Sequence, residues 1–244
     1  GISIPPGFNQ FTWSHAADLN SDGKDELILG ANKDSDTTIR NLIFSFDDGQ
    51  VVQTALPRFN NLALTFDAAE GAIVTDIETT DLNGDGLLDI LLFATGTVPF
   101  YKGFAIQAFE QTATGGFVDW SIKYFDSPDF DKALIDGAGL EIQLADLDVD
   151  GDVDLLFIGF FPNDMTIFER VGNKFIALDR FGDFDAAAIA DIDEDFAPEI
   201  ISIGGSRPNI FDSGLVGSPT TDTDVQINDL IADGGGDADC LSGT

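Results

Sequence analysis

Short apolar runs, each preceded by an acidic loop, dominate the pattern of hydrophobic and polar positions along the chain. The runs are rich in branched and aromatic residues and are mostly bounded by glycine. Runs of this length and composition favour β-strands buried on both faces, and no long helical periodicity competes with them. The four predicted strands are Leu27–Leu29, Ile90–Phe93, Leu155–Phe161 and Ile200–Ile203.

Two further strand-like runs, joined by a turn, follow each of the first three of these strands. Glycine with Asp or Asn at the turns supplies the positive φ of a tight hairpin. The predicted hairpins pair Ile39–Phe46 with Val51–Leu56, Phe104–Phe109 with Phe117–Phe125, and Met165–Glu169 with Lys174–Phe181. A strand of alternating apolar residues is also predicted before the loops, as in Ile73–Ile77 and Leu140–Leu144.

The acidic loop is itself a repeat of one ten-residue pattern. Its copies share an acid at position 1, Asp or Asn at 3, Asp at 5, an acid at 9 and Leu or Ile at 10. They start at residues 18, 81, 146 and 191, so successive copies are 63, 65 and 45 residues apart, which is the spacing of a supersecondary unit. The four copies are DLNSDGKDEL, DLNGDGLLDI, DLDVDGDVDL and DIDEDFAPEI.

Four antiparallel strands with an acidic loop between the first two form one unit, and tandem units of this kind predict an all-β fold, a β-propeller of four-stranded blades. We expect a repeat domain over residues 1–213 and a Gly, Asp, Ser and Thr-rich tail or linker over 214–244. The fourth unit is predicted to be incomplete, because little hairpin signal follows Ile203. Its missing strands would come from Gly1–Trp13 or from another chain. The units lie near residues 11–70, 71–135, 136–183 and 184–213.

Carboxylates at alternate positions repel one another, so the loops predict a bound cation. An EF-hand is excluded, because it needs a bidentate Glu at position 12 and flanking helices, whereas position 12 is here Leu, Leu, Phe and Ser. Side chains at 1, 3, 5 and 9, the carbonyl of 7 and water would supply six to eight oxygen ligands, which suit Ca²⁺ better than Mg²⁺. Glycine at position 6 of the first three loops permits the bend.

These loops, over residues 11 to 205, resemble the calcium loops of the FG-GAP and VCBS repeat family, the propeller repeats of integrin α-subunits and of many bacterial extracellular proteins. By position, the resemblance implies these side-chain ligands: Asp18, Asn20, Asp22 and Glu26; Asp81, Asn83, Asp85 and Asp89; Asp146, Asp148, Asp150 and Asp154; Asp191, Asp193, Asp195 and Glu199. The implied carbonyl ligands belong to Lys24, Leu87, Asp152 and Ala197.

The fourth loop departs from the family pattern. Phe196 stands where glycine is expected and Pro198 occupies position 8. Because phenylalanine at positive φ is strained, we expect this site to be altered, weak or empty, and calcium to bind at the other three. The alternative for all four loops is a solvated turn without metal, a structure that Asp, Asn and Gly also favour. Four copies in register argue against that alternative.

Composition restricts the partners. The 244 residues carry 44 acidic and 11 basic side chains, a net charge of −33 that would repel nucleic acid and anionic membranes. Cys240 is the only cysteine, so neither an intrachain disulfide nor a cysteine zinc site is expected. No apolar stretch is long enough to span a bilayer and no basic-then-apolar leader precedes Gly1, so we expect no membrane insertion and a soluble chain, mature or excised if secreted.

The resulting functional hypothesis is a calcium-stabilised, non-catalytic binding or adhesion module, extracellular or at the cell surface, with a protein or glycan ligand. His15 is the only histidine and is expected to be structural, which disfavours a Ser-His-Asp arrangement. One alternative is a subunit of a surface assembly or filament that self-associates by strand exchange. Another is a polysaccharide hydrolase or lyase that uses a carboxylate pair.

Overall fold

A computed structural model describes residues 11–31, 40–47, 49–57, 72–96, 104–125, 139–159, 164–182, 186–192, 197–204 and 207–211. Within these residues lie four antiparallel sheets, and in each the strands are ordered as in the chain. The predicted all-β class is therefore confirmed. The five-residue helix among them is far too short to cross a membrane, and the described residues contain no membrane-spanning helix.

The first three sheets have four strands each, and the described part of the fourth has three. The first sheet contains β1 (Phe11–Ala17), β2 (Glu26–Ala31), β3 (Leu42–Asp47) and β4 (Gln50–Ala55). The second contains β5 (Ala72–Thr80), β6 (Asp89–Gly96), β7 (Phe104–Gln111) and β8 (Phe117–Asp119), followed by helix α1 (Ser121–Phe125). The third contains β9 (Gly139–Ala145), β10 (Asp154–Gly159), β11 (Asp164–Val171) and β12 (Lys174–Gly182). The fourth contains β13 (Ala186–Ala190), β14 (Glu199–Gly204) and β15 (Arg207–Phe211).

The acidic loops occupy the same place in every sheet, between the first and second strands, as predicted. Each apolar run that follows a loop belongs to the second strand, which pairs with a neighbour on both sides. The end of the predicted run at 160–161 and the start of the predicted hairpin at Ile39 lie outside the described residues.

The strand predicted over Phe117–Phe125 is wrong in its second half, where the chain forms β8 and then α1. Asp119 Oδ1 accepts hydrogen bonds from the backbone N–H and the hydroxyl of Ser121, and this cap begins the helix. The helix turns Tyr124 and Phe125 into the apolar cluster between the second and third sheets, so burial stabilises helix over strand.

The third strand of the fourth sheet, β15, was missed by the sequence prediction. It pairs with β14 from Gly204 opposite Arg207 to Ile200 opposite Phe211. Pro208 weakened the strand signal, but β15 is the last strand of the described sheet, where a residue without an N–H is tolerated.

The sheets pack face to face in chain order, and alternate residues of each second strand point to different neighbours. Leu91 and Phe93 of β6 lie in the cluster shared with the third sheet. Ile90 and Leu92 lie in the cluster shared with the first sheet. The loop numbering is continued here into the second strand. We call the face of each sheet that carries positions 11 and 13 its forward face, and the face that carries positions 10 and 12 its rear face.

The hydrophobic residue at loop position 2 extends each forward face. Leu19, Leu82 and Leu147 are buried in the clusters between the first and second, second and third, and third and fourth sheets, respectively. The equivalent Ile192 of the fourth sheet is 49% exposed. The loop therefore anchors a side chain between sheets wherever a described sheet follows.

The first strands of neighbouring sheets are joined by polar contacts. The Thr12 hydroxyl donates to the Val74 carbonyl at 2.7 Å, which links β1 to β5. The Ile142 N–H donates to Asp76 Oδ2 at 2.9 Å, which links β5 to β9. Gln143 Nε2 donates to the Ala187 carbonyl at 2.8 Å, which links β9 to β13.

Gly30 should be required for the close approach of the first two sheets. A Cβ at this position would lie 2.4 Å from Val74 Cγ1 and 2.7 Å from Val74 Cβ. We expect Gly30→Ala to lower the free energy of unfolding by about 1 to 3 kcal/mol, measured by denaturant titration, because the sheets must separate. The double variant Gly30→Ala/Val74→Ala should be less destabilised than the sum of its single variants, and simple additivity would contradict the contact.

Glu78 on β5 should make stability depend on pH. Burial, followed by the charges of Asp76 and Glu141, raises the pKa of Glu78 to about 7. The raised pKa means that folding favours the protonated form of Glu78. The contribution of Glu78 to the free energy of unfolding is therefore fully present below about pH 4.5 and is lost as the pH rises through 7. Glu78→Gln should therefore stabilise the protein at pH 8, by about 1 to 2 kcal/mol given its partial exposure, with little gain at pH 4.5. If Glu78→Gln raised the free energy of unfolding equally at both pH values, measured in the presence of a chelator, the raised pKa of Glu78 would be refuted.

Candidate metal centre

Position 1 organises each of the three loops that are fully described. One carboxylate oxygen accepts the N–H of position 5 and the other accepts the N–H of the position 6 glycine. Asp18 accepts at 3.0 and 2.8 Å, Asp81 at 3.1 and 2.7 Å, and Asp146 at 3.0 and 3.0 Å. A single side chain thereby bends the loop around itself.

Positions 3 and 5 form a second set of local hydrogen bonds. The position 3 side-chain oxygen accepts the N–H of position 5 at 2.9 to 3.1 Å in all three loops. The position 5 carboxylate accepts the N–H of position 7 at 2.8 or 2.9 Å. Each bond spans two residues, which is the geometry of an Asx-turn. Three successive acidic or amide side chains are therefore held on the same inner side of the loop.

The backbone reaches positive φ at two places in each of these loops. The predicted glycines at position 6 have φ of 83°, 86° and 95° in Gly23, Gly86 and Gly151. Position 4 also has positive φ, with Ser21 at 58°, Gly84 at 75° and Val149 at 60°. Positive φ at position 4 was not predicted from the sequence, in which Gly84 is the only glycine at that position. A β-branched residue at this φ is a strained outlier.

The position 9 acid is buried in all four loops, as Glu26, Asp89, Asp154 and Glu199. One of its oxygens accepts the N–H of position 2 at 3.0, 2.9, 2.8 and 2.7 Å in the four loops. This bond holds the start of the loop against the start of the second strand. The fourth copy shares this loop contact.

The other oxygen of the position 9 acid makes a bond that no sequence signal revealed. In the second and third sheets it accepts a backbone N–H from the third strand, Gln111 to Asp89 and Arg170 to Asp154, each at 2.8 Å. In the first loop Glu26 instead accepts from Asn20 Nδ2 at 3.0 Å. The shorter Asp thus ties its loop to two strands, whereas the longer Glu folds back onto the loop.

Burial disfavours the charged form of these acids. Desolvation raises the pKa of Asp89 and of Asp154 to about 6, although two backbone N–H groups at each carboxylate act in the opposite direction. Burial also raises the pKa of Glu26. A cation in contact with these carboxylates would reverse the shift, since it favours the ionised form.

The third loop brings three acids into range of a single ion. Carboxylate oxygens of Asp146, Asp148 and Asp154 all lie within 4.8 Å of one another. Calcium binds oxygen at 2.3 to 2.6 Å, so ligands on opposite sides of an ion are about 4.6 to 5.2 Å apart. The three oxygens therefore fit one coordination shell. Burial, and then the charges of Asp150 and Asp146, raises the pKa of Asp148.

The first two loops have the same hydrogen-bonded frame with an amide at position 3. Asn20 and Asn83 turn their side-chain oxygens to the N–H of position 5, as Asp148 does. The first loop also contains a local ion pair, with Lys24 Nζ at 3.4 Å from Asp22 Oδ2. The carbonyl ligands implied at Lys24, Leu87, Asp152 and Ala197 stay predictions.

In the fourth loop, Asp193, Asp195 and Phe196 lie outside the described residues. The structure places Asp191 and Ile192 before that gap, Ala197 directly after it, and Glu199 at the start of β14. The predicted effect of Phe196 on this site stays a prediction. The shared contact is the bond from Ile192 N–H to Glu199 at 2.7 Å.

His15 is not one of the predicted loop ligands and lies between β1 and β5. Its Nε2 is 3.1 Å from the Thr79 hydroxyl, and burial lowers the pKa of the imidazole. A neutral ring bonded across two strands favours the structural role expected from the sequence.

Comparison with known proteins finds only distant structural likeness. No family model and no curated protein matches the chain. Among solved structures, the rhamnogalacturonan lyase PL11 of Bacillus licheniformis is 16% identical with a TM-score of 0.43 over 84% of this chain and 41% of its own. Rhamnogalacturonan lyase YesW is 18% identical with a TM-score of 0.42 over 84% and 41%.

A lectin from Agrocybe aegerita that recognises non-reducing terminal N-acetylglucosamine is 15% identical, with a TM-score of 0.47 over 83% of this chain and 62% of its own. The chain therefore spans about two fifths of each lyase and three fifths of the lectin.

Val149 offers a test of the strained position 4. Its side chain is 57% exposed, so little burial is lost when it is removed. We expect Val149→Gly to raise the free energy of unfolding by about 1 kcal/mol in calcium-free buffer, because glycine adopts positive φ without strain.

The reverse substitution in the second loop is the matched control. Nothing lies within 4 Å of a Cβ built on Gly84, so Gly84→Val should destabilise through the backbone alone, again by about 1 kcal/mol. Denaturant titration of both variants measures the effect. Changes of the same sign in the two variants would contradict a shared loop conformation.

Proposed function

We propose that the chain is a calcium-stabilised, non-catalytic binding module whose acidic loops hold structural Ca²⁺ ions. The observation that carries the proposal is the third loop, where oxygens of Asp146, Asp148 and Asp154 lie within 4.8 Å of one another. The same loop frame recurs around Asp18 and Asp81, which supports a site in each of the three loops. Asp148 would bind from the loop and Asp154 from the start of β10.

Electrostatics gives a second support for a cation. The net charge is −33, and the loops concentrate carboxylates beside a buried acid whose pKa is raised by desolvation. At neutral pH this arrangement opposes folding unless positive charge is added. A bound Ca²⁺ would neutralise the group, and its binding free energy would become folding stability.

We also propose that the four sheets are consecutive blades of a β-propeller of the FG-GAP and VCBS type. Support comes from the face-to-face order of the sheets and from first strands that lie next to one another. The repeated position of the acidic loop, between the first two strands of each sheet, agrees with the sequence resemblance.

The proposed role is adhesion or ligand binding outside the cell, with loops stiffened by calcium and a protein or glycan as the ligand. The acidic surface suits a calcium-rich exterior. His15 bonds to Thr79 between strands, which supports a structural role for the single histidine and disfavours a histidine-dependent catalytic triad.

Calcium removal is the direct test. With millimolar Ca²⁺ we expect three ions per chain by elemental analysis and a higher thermal midpoint than after chelation. Each site should contribute about 2.7 kcal/mol at a calcium concentration 100 times its Kd. Absence of both bound ions and stabilisation would leave the loops as metal-free turns.

Two variants of the third loop make the test specific. Asp148→Ala removes a predicted ligand and should lose one ion and its share of the calcium-dependent midpoint shift. Asp152→Ala removes the same charge from the same loop but keeps the backbone carbonyl that is the predicted ligand at position 7. Its ion count should equal that of the unmodified protein, and equal losses in the two variants would indicate a general effect of charge.

A further inference from the structure

Gln111, the last residue of β7 in the second sheet, contacts two of the acidic loops. Its backbone N–H donates to Asp89 Oδ1 at 2.8 Å, which supports position 9 of the second loop. Its side-chain Nε2 donates to the carbonyl of Leu19, position 2 of the first loop, at 2.9 Å. One residue therefore holds the loop of its own sheet through the main chain and the loop of the preceding sheet through the side chain.

The side-chain bond lies in a buried place. Leu19 is 4% exposed and Gln111 is 7% exposed, and the described residues offer Gln111 Oε1 no hydrogen-bond partner. The Leu19 carbonyl can only accept a hydrogen bond, so the amide must turn its Nε2 toward Leu19. A buried oxygen without a partner costs free energy, a cost that an apolar side chain of similar length would avoid. What the carboxamide contributes at this position is therefore its N–H donor.

The peptide that receives this donor joins two predicted ligands of the first loop, since Leu19 stands between Asp18 and Asn20. The Leu19 N–H donates to Glu26 Oε2 at 3.0 Å, so hydrogen bonds hold both the N–H and the carbonyl of Leu19. The Leu19 side chain lies with Phe109 in the cluster between the first two sheets. Together these contacts fix the peptide that sets the position of Asn20 relative to Asp18.

Arg170 occupies the equivalent place in the third sheet, and its side chain makes different contacts. Its backbone N–H donates to Asp154, the position 9 acid of its own loop, at 2.8 Å. Its Nε donates to the Gly172 carbonyl at 3.0 Å, and its guanidinium lies 5.6 Å from the Tyr124 ring centroid. Within the described residues, the Arg170 side chain thus turns to its own sheet and to Tyr124 rather than to Leu82 of the second loop.

We propose that Gln111 is a positioning residue for the first calcium loop, where its Nε2 holds the Leu19–Asn20 peptide in the conformation that binds the ion. The proposal rests on the calcium sites proposed above and adds that the second sheet completes the first site. Without the donor, the buried Leu19 carbonyl would turn toward water, and calcium binding would then have to order the peptide again. Preorganisation of this kind raises affinity, because the peptide is already ordered when the ion arrives.

Gln111→Met tests the role of the donor. Methionine keeps the length of the side chain, lacks the N–H group and leaves the backbone bond to Asp89 in place. The readout is the N–H resonance of the glycine at position 6, because each of these N–H groups donates to the position 1 carboxylate of its own loop. Spectra of protein labelled with ¹⁵N-glycine, recorded in calcium-buffered solutions, give a separate calcium midpoint for Gly23, Gly86 and Gly151.

We expect the calcium midpoint of Gly23 to rise about 5- to 30-fold in Gln111→Met, which corresponds to ordering about one backbone residue. The midpoints of Gly86 and Gly151 should not change. In chelator, amide exchange of Gly23 should become faster while that of the other two glycines stays the same, because the first loop alone loses a support. A merely structural role of Gln111 would lower the stability of the whole protein without separating one loop from the others.

Gln143→Met is the matched control. Gln143 Nε2 also donates to a backbone carbonyl of the next sheet, that of Ala187 at 2.8 Å, but Ala187 lies on β13 and not in a loop. All three glycine midpoints should equal those of the unmodified protein. Gln111→Leu, which also lacks the donor, replaces Gln111→Met if the latter loses its circular dichroism spectrum.

The three glycines separate the possible outcomes. Unchanged behaviour of Gly23 in both calcium and chelator would overturn the proposal, as would equal changes at all three glycines. If no glycine resonance of the unmodified protein responded to calcium, the calcium sites themselves would be contradicted. The exchange of Gly23 in chelator would then still decide whether Gln111 holds the first loop.

Discussion

The bond from the position 2 N–H to the buried position 9 carboxylate is the contact on which the repeat depends. It occurs in all four loops, and it fixes the end of the first strand against the start of the second. Position 2 can then place its side chain between sheets, and position 10, the second residue of the second strand, lies on the rear face. Loop, strand and sheet packing are therefore linked by one side chain, which in the first three loops accepts hydrogen bonds on both oxygens, as a carboxylate can and a side-chain amide cannot.

Favourable and unfavourable contributions to the free energy of folding lie close together in this short stretch of chain. Leu147 and Leu155 are buried in apolar clusters, whereas Asp154 beside them is buried with a raised pKa and Val149 is held at positive φ. Apolar burial of a leucine contributes about 1.5 to 3 kcal/mol, which is similar in size to the cost of one strained or desolvated residue. The loop persists because its neighbours pack well.

Much of the fold was predictable from residue patterns, because each unit repeats the same local rules. The four loops, the second strands and two of the hairpins followed from period, glycine and acid positions. The helix at Ser121–Phe125 was not predictable, since its cap by Asp119 and its burial against the third sheet depend on tertiary contacts. Strand β15 was hidden by Pro208, which is acceptable only on the outer strand of a sheet.

The positions of the acid and amide side chains of the candidate site were predictable, whereas the contacts that support them were not. Positions 1, 3, 5 and 9 were identified from spacing, but the backbone N–H groups of Gln111 and Arg170 reach Asp89 and Asp154 from a strand 16 to 22 residues away. Backbone N–H donors leave no pattern in the sequence, so these hydrogen bonds can be identified only once the pairing of the strands is known. They also explain why the acid is part of the sheet, since Asp89 and Asp154 each accept two backbone N–H groups, one from the loop and one from the third strand.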